Sequence, residues 1–381
     1  MKLTDLPRPP RAEAFSISPD WSGLDEAALR SCLKAYFTES FDRYESLFEC
    51  LASDEAFYRK PIPLRHPLIF YFGHTATFFV NKLLLAKLIP ERINPRFEAM
   101  FAVGVDEMSW DDLNDAHYDW PAVDEVRAYR NEVRAMVTRL IDEAPLTLPM
   151  GWDNPWWAIL MGVEHELIHL ETSSVLIRQH QLDMVQTHLA WQPALIGACP
   201  RERAPGNSLL PVSAGSVTLG KGSPHHQPVD GDTDSHRYGW DNEYGQHQVE
   251  VPAFKASRYL VSNAEFYEFV DAGGYEQQDF WTDEGWNWRC FAEATCPTFW
   301  RPHQNGWKLR LMCDEVAMPW DWPAEVNCHE AAAFCSWKAV QIGMPVRLPT
   351  EDEWARLYDL GQVDVDTPAQ RRLAGGCSAV P

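Results

Sequence analysis

A chain of 381 residues is long enough for two domains rather than one core, and 45% hydrophobic with 23% charged residues is the balance of a globular protein. The formal net charge of −22 repels nucleic-acid phosphates and anionic lipid, so neither is an expected partner. Nine cysteines, an odd number with no C-x-x-C pair, argue against a finger-type zinc site; with no N-terminal signal pattern, they suit a reducing cytoplasm.

Residues 1–20, rich in proline and charge, read as an arm. From 21 to 185 the pattern is helical. Leu29, Leu33, Phe37, Phe41 and Tyr44, then Leu47 and Leu51, recur at three- and four-residue spacing. Segments 25–52, 66–89, 121–143 and 155–180 predict four helices of about 20 residues each, which fits a four-helix bundle. The most apolar of them, Pro67 to Ile89, is interrupted by His74, Asn81, Lys82 and Lys87, so it reads as a buried helix rather than a membrane span. Residues 100–120 read as an aromatic and acidic connection over one end of the bundle.

Pro193, Pro200, Pro205, Gly206 and Pro211 break any helix and mark 186–212 as a linker. Beyond it, 213–381, come short strand-like runs (Ser216–Leu219, Gln248–Val251) among loops rich in Gly, Asp and Trp. Helix starts are signalled at Ser262 with Glu265, Asn327 with Glu330, and Thr350 with Glu353, each a capping-box pair. Stops fall at Gly273-Gly274 and Gly343. Ala331, Phe334, Cys335, Lys338, Ala339 and Ile342 are read as one face of the Asn327 helix. With 17 Trp in the chain, this half is expected to be mixed α+β, held by large rings more than by long elements.

The chemistry lies in the fourth helix, GVEHELIHLETSSVLIRQ. His165 and His169 are four apart, about 40° around the axis, and can share one metal ion. The same letters read two ways. As H-E-x-x-H they are a zinc-hydrolase signature with Glu166 as general base. As H-x-x-x-H-x-E they would enlist Glu171, which lies about 200° from His169 on a regular helix and so cannot reach the ion. Ala158, Gly162, Thr172 and Ser173, all small, are read as leaving room for a substrate. The better candidate for a third donor is His74, the lone imidazole of an apolar helix, which needs a partner if buried; His66, placed at a helix start by Pro67, is a weaker one. Three neutral imidazoles suit Fe(II) or Zn(II) equally.

The segments HELIHLETSSVLIRQ, FGHTATFFVNKL and VGVDEMSWDDLNDAHYDWP resemble the sulfoxide synthases of ovothiol and ergothioneine biosynthesis. YGWDNEYGQHQVEVPAFKASRYLVSNAEFYEFV and MPVRLPTEDEWARL resemble the formylglycine-generating-enzyme type of domain. The resemblance spans about residues 20 to 360. It implies a DinB-like four-helix bundle followed by a C-type-lectin-like domain. It also implies Fe(II) held by His74, His165 and His169, and an O2-dependent coupling of L-cysteine to C5 of L-histidine that yields a sulfoxide. The first and third segments favour the ovothiol side; the ergothioneine branch would take trimethylhistidine instead.

Histidine is expected in the crevice between the domains. Asp106, Glu107, Asp111, Asp112, Arg178 and the run Asp241-Asn242-Glu243 are possible anchors for its charged groups, the last three being taken as binding residues. The family's formylglycine-type domain continues well past RLPTEDEW and supplies a tyrosine near the iron. This resemblance therefore implies a C-terminally incomplete domain here and poor turnover. The readings of another class are a zinc-dependent hydrolase or thiol transferase using His165, Glu166 and His169, and a metal-binding protein without catalysis.

Overall fold

The computed structural model describes residues 21, 23–103, 118–148, 150, 153–192, 200–222, 238–304 and 306–363, with side chains to 359. The apolar spacing of the first half winds into four long helices, α1 (Glu26–Phe48), α3 (Leu68–Leu85), α5 (Val123–Glu143) and α6 (Trp157–Gln179). Between them lie the short helices α2 (Asp54–Tyr58) and α4 (Pro95–Met100). Local chemistry sets the starts: Asp25 accepts the Ala28 N–H at 2.8 Å, and Asn94 caps α4 ahead of Pro95. The seven residues of the stripe Leu29 to Leu51 are all buried.

α5 and α6 each pack against both α1 and α3, which places α1 and α3 on a diagonal. Large rings cross that diagonal: Phe37 meets Phe79 at 5.4 Å between centroids and Phe48 meets Phe72 at 4.8 Å. By length and composition α3 could cross a membrane, but 67% of it is buried inside the bundle, which accounts for its apolar character.

Among the described residues the second half carries three small antiparallel sheets. β1 (Leu209–Val212) pairs with β4 (Phe254–Ser257), and β2 (Gly215–Leu219) pairs with β3 (His247–Val251). β5 (Trp300–His303), β6 (Gly306–Arg310) and β7 (Glu315–Ala317) form a meander. The helices are α7 (Asn263–Asp271), α8 (Asp283–Phe291), α9 (Cys328–Ile342) and α10 (Glu351–Val363). Their main core gathers Phe266, Phe269, Tyr275, Trp300, Phe334 and Trp337, while a smaller one joins Val217 and Val251 to Ala355 of α10. Chain contacts divide the molecule into two units: residues to Met184 with Gly220–Gly245, and Val185–Leu219 with Gln246–Val365.

Several expectations need correction. The stretch 186–212 is not only a linker, since it contributes β1, whose Pro211 stands opposite Lys255. Helix α8 was not expected; its signal is Thr282, which accepts the Gly285 N–H, followed by Asp283 and Glu284 in the first turn. The buried face of α9 is Glu330, Ala333, Phe334, Cys335 and Trp337, and Ile342 is exposed. A hydrophobic stripe that includes two alanines does not fix a helix rotation, whereas Trp337, the largest apolar side chain of the helix, does.

Candidate metal centre

His74 lies near the middle of α3, and His165 and His169 lie one turn apart on α6, the helix against which α3 packs. The three rings form a triangle with centroids 4.9, 4.6 and 4.5 Å apart. One ring nitrogen from each falls within 4.8 Å of the others, and the Nε2 atoms of His74 and His165 are 3.2 Å apart.

The surroundings orient these rings. The Phe101 carbonyl, 2.7 Å from His74 Nδ1, can only accept, so Nδ1 carries the hydrogen and Nε2 turns an unprotonated lone pair into the triangle. Phe78 lies flat on His165, 3.7 Å between centroids and 6° between planes, and Phe70 stacks on His74 at 5.2 Å. Burial lowers the pKa of His74 to about 4 and that of His169 to about 3, and holds His165 well below the usual imidazole range. All three are therefore neutral donors near pH 7. His165 Nδ1 and His169 Nδ1 are buried and have no hydrogen-bond partner among the described residues. Three neutral imidazoles with facing nitrogens, two buried and His169 half-buried, are a donor set for a divalent ion of the Fe(II) or Zn(II) kind, and the residues fit such a group.

The carboxylates of α6 stand outside the triangle. The helix runs unbroken from Trp157 to Gln179, so Glu171 turns to solvent. Glu166 points into the bundle instead: it is fully buried, 3.1 Å from Arg130 Nη2, and accepts hydrogen bonds from Thr75 Oγ1 and Ser40 Oγ. A carboxylate so engaged is not positioned as a base beside a metal-bound water.

Two of the four small residues of α6, Gly162 and Ser173, also serve differently from the expectation. A Cβ on Gly162 would lie 2.2 Å from the Phe79 ring, and Ser173 Oγ is 3.3 Å from Tyr44 Oη. Both therefore serve close helix packing rather than substrate space. Asp241, Asn242 and Glu243 form a short turn satisfied locally. Asp241 accepts the Asn242 N–H, and Glu243 accepts the Trp240 N–H and pairs with Lys221 at 3.0 Å. Their segment reaches α6 through Tyr238, whose ring lies 4.9 Å from Trp157, two turns before His165. Arg178 is buried at the end of α6. Asp106, Glu107, Asp111 and Asp112 lie outside the described residues.

Sequence reasoning missed Phe101, Phe78 and Arg130. The readable signals were Gly73 beside His74 and a lone arginine at core spacing, with Val126, Val133 and Val137 on the same face of α5.

Fold and site thus define a two-part protein, a helical bundle with a largely buried three-histidine cluster joined to an α+β domain of small sheets. Residues 36–173 match the DinB superfamily and residues 194–362 the sulfatase-modifying factor enzyme 1-like domain. The chain carries this pair of domains and is homologous to hercynine oxygenases. It is 30% identical over 309 residues to the hercynine oxygenase of Mycolicibacterium smegmatis, covering 80% of this chain and 63% of that protein. It is 34% identical over 233 residues to the hercynine oxygenase of Mycolicibacterium thermoresistibile, covering 61% and 45%. With Ergothioneine biosynthesis protein 1 of Neurospora crassa the identity is 30% over 223 residues, covering 57% and 24%. The chain thus spans less than two thirds of the length of each of these relatives.

Proposed function

We propose that this protein is an iron-dependent, O2-using sulfoxide synthase that joins a cysteine-type thiol to the imidazole ring of a histidine-type acceptor. The observation that carries this reading is the triangle of His74, His165 and His169, which holds no carboxylate among the described residues. Fe(II) held by three neutral imidazoles keeps its full positive charge and supplies the redox chemistry that dioxygen and a thiol require. The chain's own residues supply the rest. The Phe101 carbonyl fixes the His74 tautomer, Phe78 and Phe70 hold two of the rings flat and exclude water from them, and burial keeps all three unprotonated at neutral pH. The names of the relatives support iron over zinc, because they are oxygenases.

Two acceptors are in question. The relatives' names favour hercynine, the trimethylated form of histidine. The sequence segments that resemble ovothiol enzymes favour histidine itself, giving 5-histidylcysteine sulfoxide. The thiol donor in this reading is L-cysteine. The seven described cysteines are all free thiols, in keeping with a reducing compartment such as the cytoplasm as the site of action.

The test is oxygen uptake by the Fe(II)-loaded protein with cysteine and either hercynine or histidine, with the products weighed by mass spectrometry and Fe(II) binding followed separately. A sulfoxide of one acceptor, lost in His165→Ala, is the expected result. Peptide hydrolysis by the zinc-loaded protein that disappears in Glu166→Gln would overturn the reading in favour of a hydrolase.

A further inference from the structure

Arg130, Glu166 and Thr75 form a polar knot in the centre of the bundle, each without measurable exposure. Arg130 Nη2 lies 3.1 Å from Glu166 Oε1, and Arg130 Nη1 donates to Thr75 Oγ1 and to the Phe72 carbonyl, both at 2.9 Å. Its Nε donates to Glu45 Oε1 at 2.9 Å. Thr75 Oγ1 donates to Glu166 Oε1 at 3.2 Å, and Ser40 Oγ reaches Oε2 at 3.4 Å. Phe41, Tyr44 and Phe72 surround the guanidinium with their rings 4.3 to 5.2 Å away. One group of side chains thus ties all four long helices together.

Such a knot is not explained by stability. A buried ion pair is seldom more stable than apolar residues of the same volume, because desolvation offsets the attraction. What it adds is direction, since hydrogen bonds fix angles that an apolar contact leaves free to slide. The directions fixed here are those of the metal helices. Thr75 directly follows His74, and Glu166 directly follows His165, so the bond between them sets how α3 and α6 are turned toward each other. An imidazole nitrogen stands about 6 Å from its helix axis, so a turn of about 10° moves it by about 1 Å. Metal-ligand bonds tolerate only about 0.2 Å.

We propose that the Arg130–Glu166–Thr75 knot is the positioning device of the three-histidine centre, locking the rotation of α3 against α6 so that His74 meets His165 and His169. This rests on the reading of those histidines as metal ligands.

The test uses Co(II) alone as probe, with the full chain and the variant Arg130→Met/Glu166→Met, which removes both charges together. Urea unfolding of the metal-free protein reads stability; anaerobic titration and the visible Co(II) spectrum read the site. The expected result is an unfolding midpoint equal to or above that of the wild type, a Co(II) affinity at least about tenfold weaker, and a changed spectrum. A stable double variant with wild-type affinity and spectrum would overturn the proposal and leave the knot purely structural. If the double variant does not fold, Thr75→Val decides: it keeps the ion pair and the shape but removes the threonine bonds, and an unaltered Co(II) spectrum there is equally fatal. Should the wild type itself bind no Co(II), or His165→Ala bind it as well as the wild type, the histidine reading fails first, and that outcome is seen separately.

Discussion

His74 donates its Nδ1 hydrogen to the carbonyl of Phe101 at 2.7 Å, and the Phe101 ring fills the space where a side chain on Gly73 would stand, 2.5 Å from an added Cβ. The glycine, the phenylalanine and the orientation of the candidate ligand are thus one arrangement. Phe101 is fully buried, so its ring cannot move aside freely.

Gly73→Ala should therefore push Phe101 outward, lowering stability by about 1–3 kcal/mol and weakening metal binding by about tenfold through the displaced carbonyl. Urea unfolding and anaerobic metal titration measure the two effects. Wild-type metal affinity in this variant would show that the Phe101 carbonyl does not orient His74.

His74→Ala, His165→Ala and His169→Ala should each remove most of the metal affinity, whereas Glu171→Ala should leave it unchanged because Glu171 faces solvent. Iron titration of the four variants separates the sets. Strong binding in His74→Ala would dissolve the triangle.

Removing one partner of the buried pair should be costly. Glu166→Ala leaves the Arg130 guanidinium, in a site of zero exposure, with Glu45 as its remaining ion-pair partner and its Nη2 without its acceptor, at about 3 kcal/mol. The loss should appear in metal-free protein and be larger in metal-loaded protein, where weaker metal binding adds to it. An unfolding midpoint within experimental error of the wild type would contradict the buried pairing.

Acid should act on the metal-free bundle in a definite direction. The three imidazoles take up protons near pH 6.5 when unfolded, but in the fold His74 does so only near about 4 and His169 near about 3, with His165 also well below 6.5. Below pH 6.5 the unfolded chain binds protons that the folded chain does not. Stability is therefore flat above that value with respect to these groups and falls as pH drops toward 4. His66 and Lys82, near His74 and His165 respectively, add to the depression. The raised Glu166 carboxyl works in the opposite sense, and Arg130 limits it. Unfolding midpoints at pH 7.5, 6 and 5 check the slope, and a midpoint that rises on acidification would refute the burial of the triangle.

In the second unit Tyr275 Oη donates to Glu330 Oε1 in a buried contact, while the other oxygen of Glu330 accepts the Asn327 N–H at the start of α9. Tyr275→Phe removes a hydrogen bond to a charged acceptor and should cost about 1.5–3 kcal/mol. A thermal unfolding curve with no change for this domain would mean that the bond contributes nothing.

Much of this protein is determined by local patterns in the chain. The stripe from Leu29 to Leu47 makes one face of α1 because every third or fourth residue is apolar, and the burial of all its members follows. The caps at Ser262, Asn327 and Thr350 start α7, α9 and α10 because a short polar side chain there meets an N–H three residues on. The pairing of His165 with His169 and the outward turn of Glu171 are likewise properties of helical periodicity. What the sequence left undecided needed contacts between distant residues. Glu166 could serve as a base or as a structural anion, and only the approach of Arg130 and Thr75 from two other helices made it the second. Gly162 reads as substrate space until Phe79 is seen to fill it. The strands of the second domain are short, and β5 to β7 carry little alternation, so their pairing depends on the Trp300 and Phe266 core that forms around them. A periodic pattern fixes which way a side chain points from its own helix; which partner it meets is decided by the packing of the others.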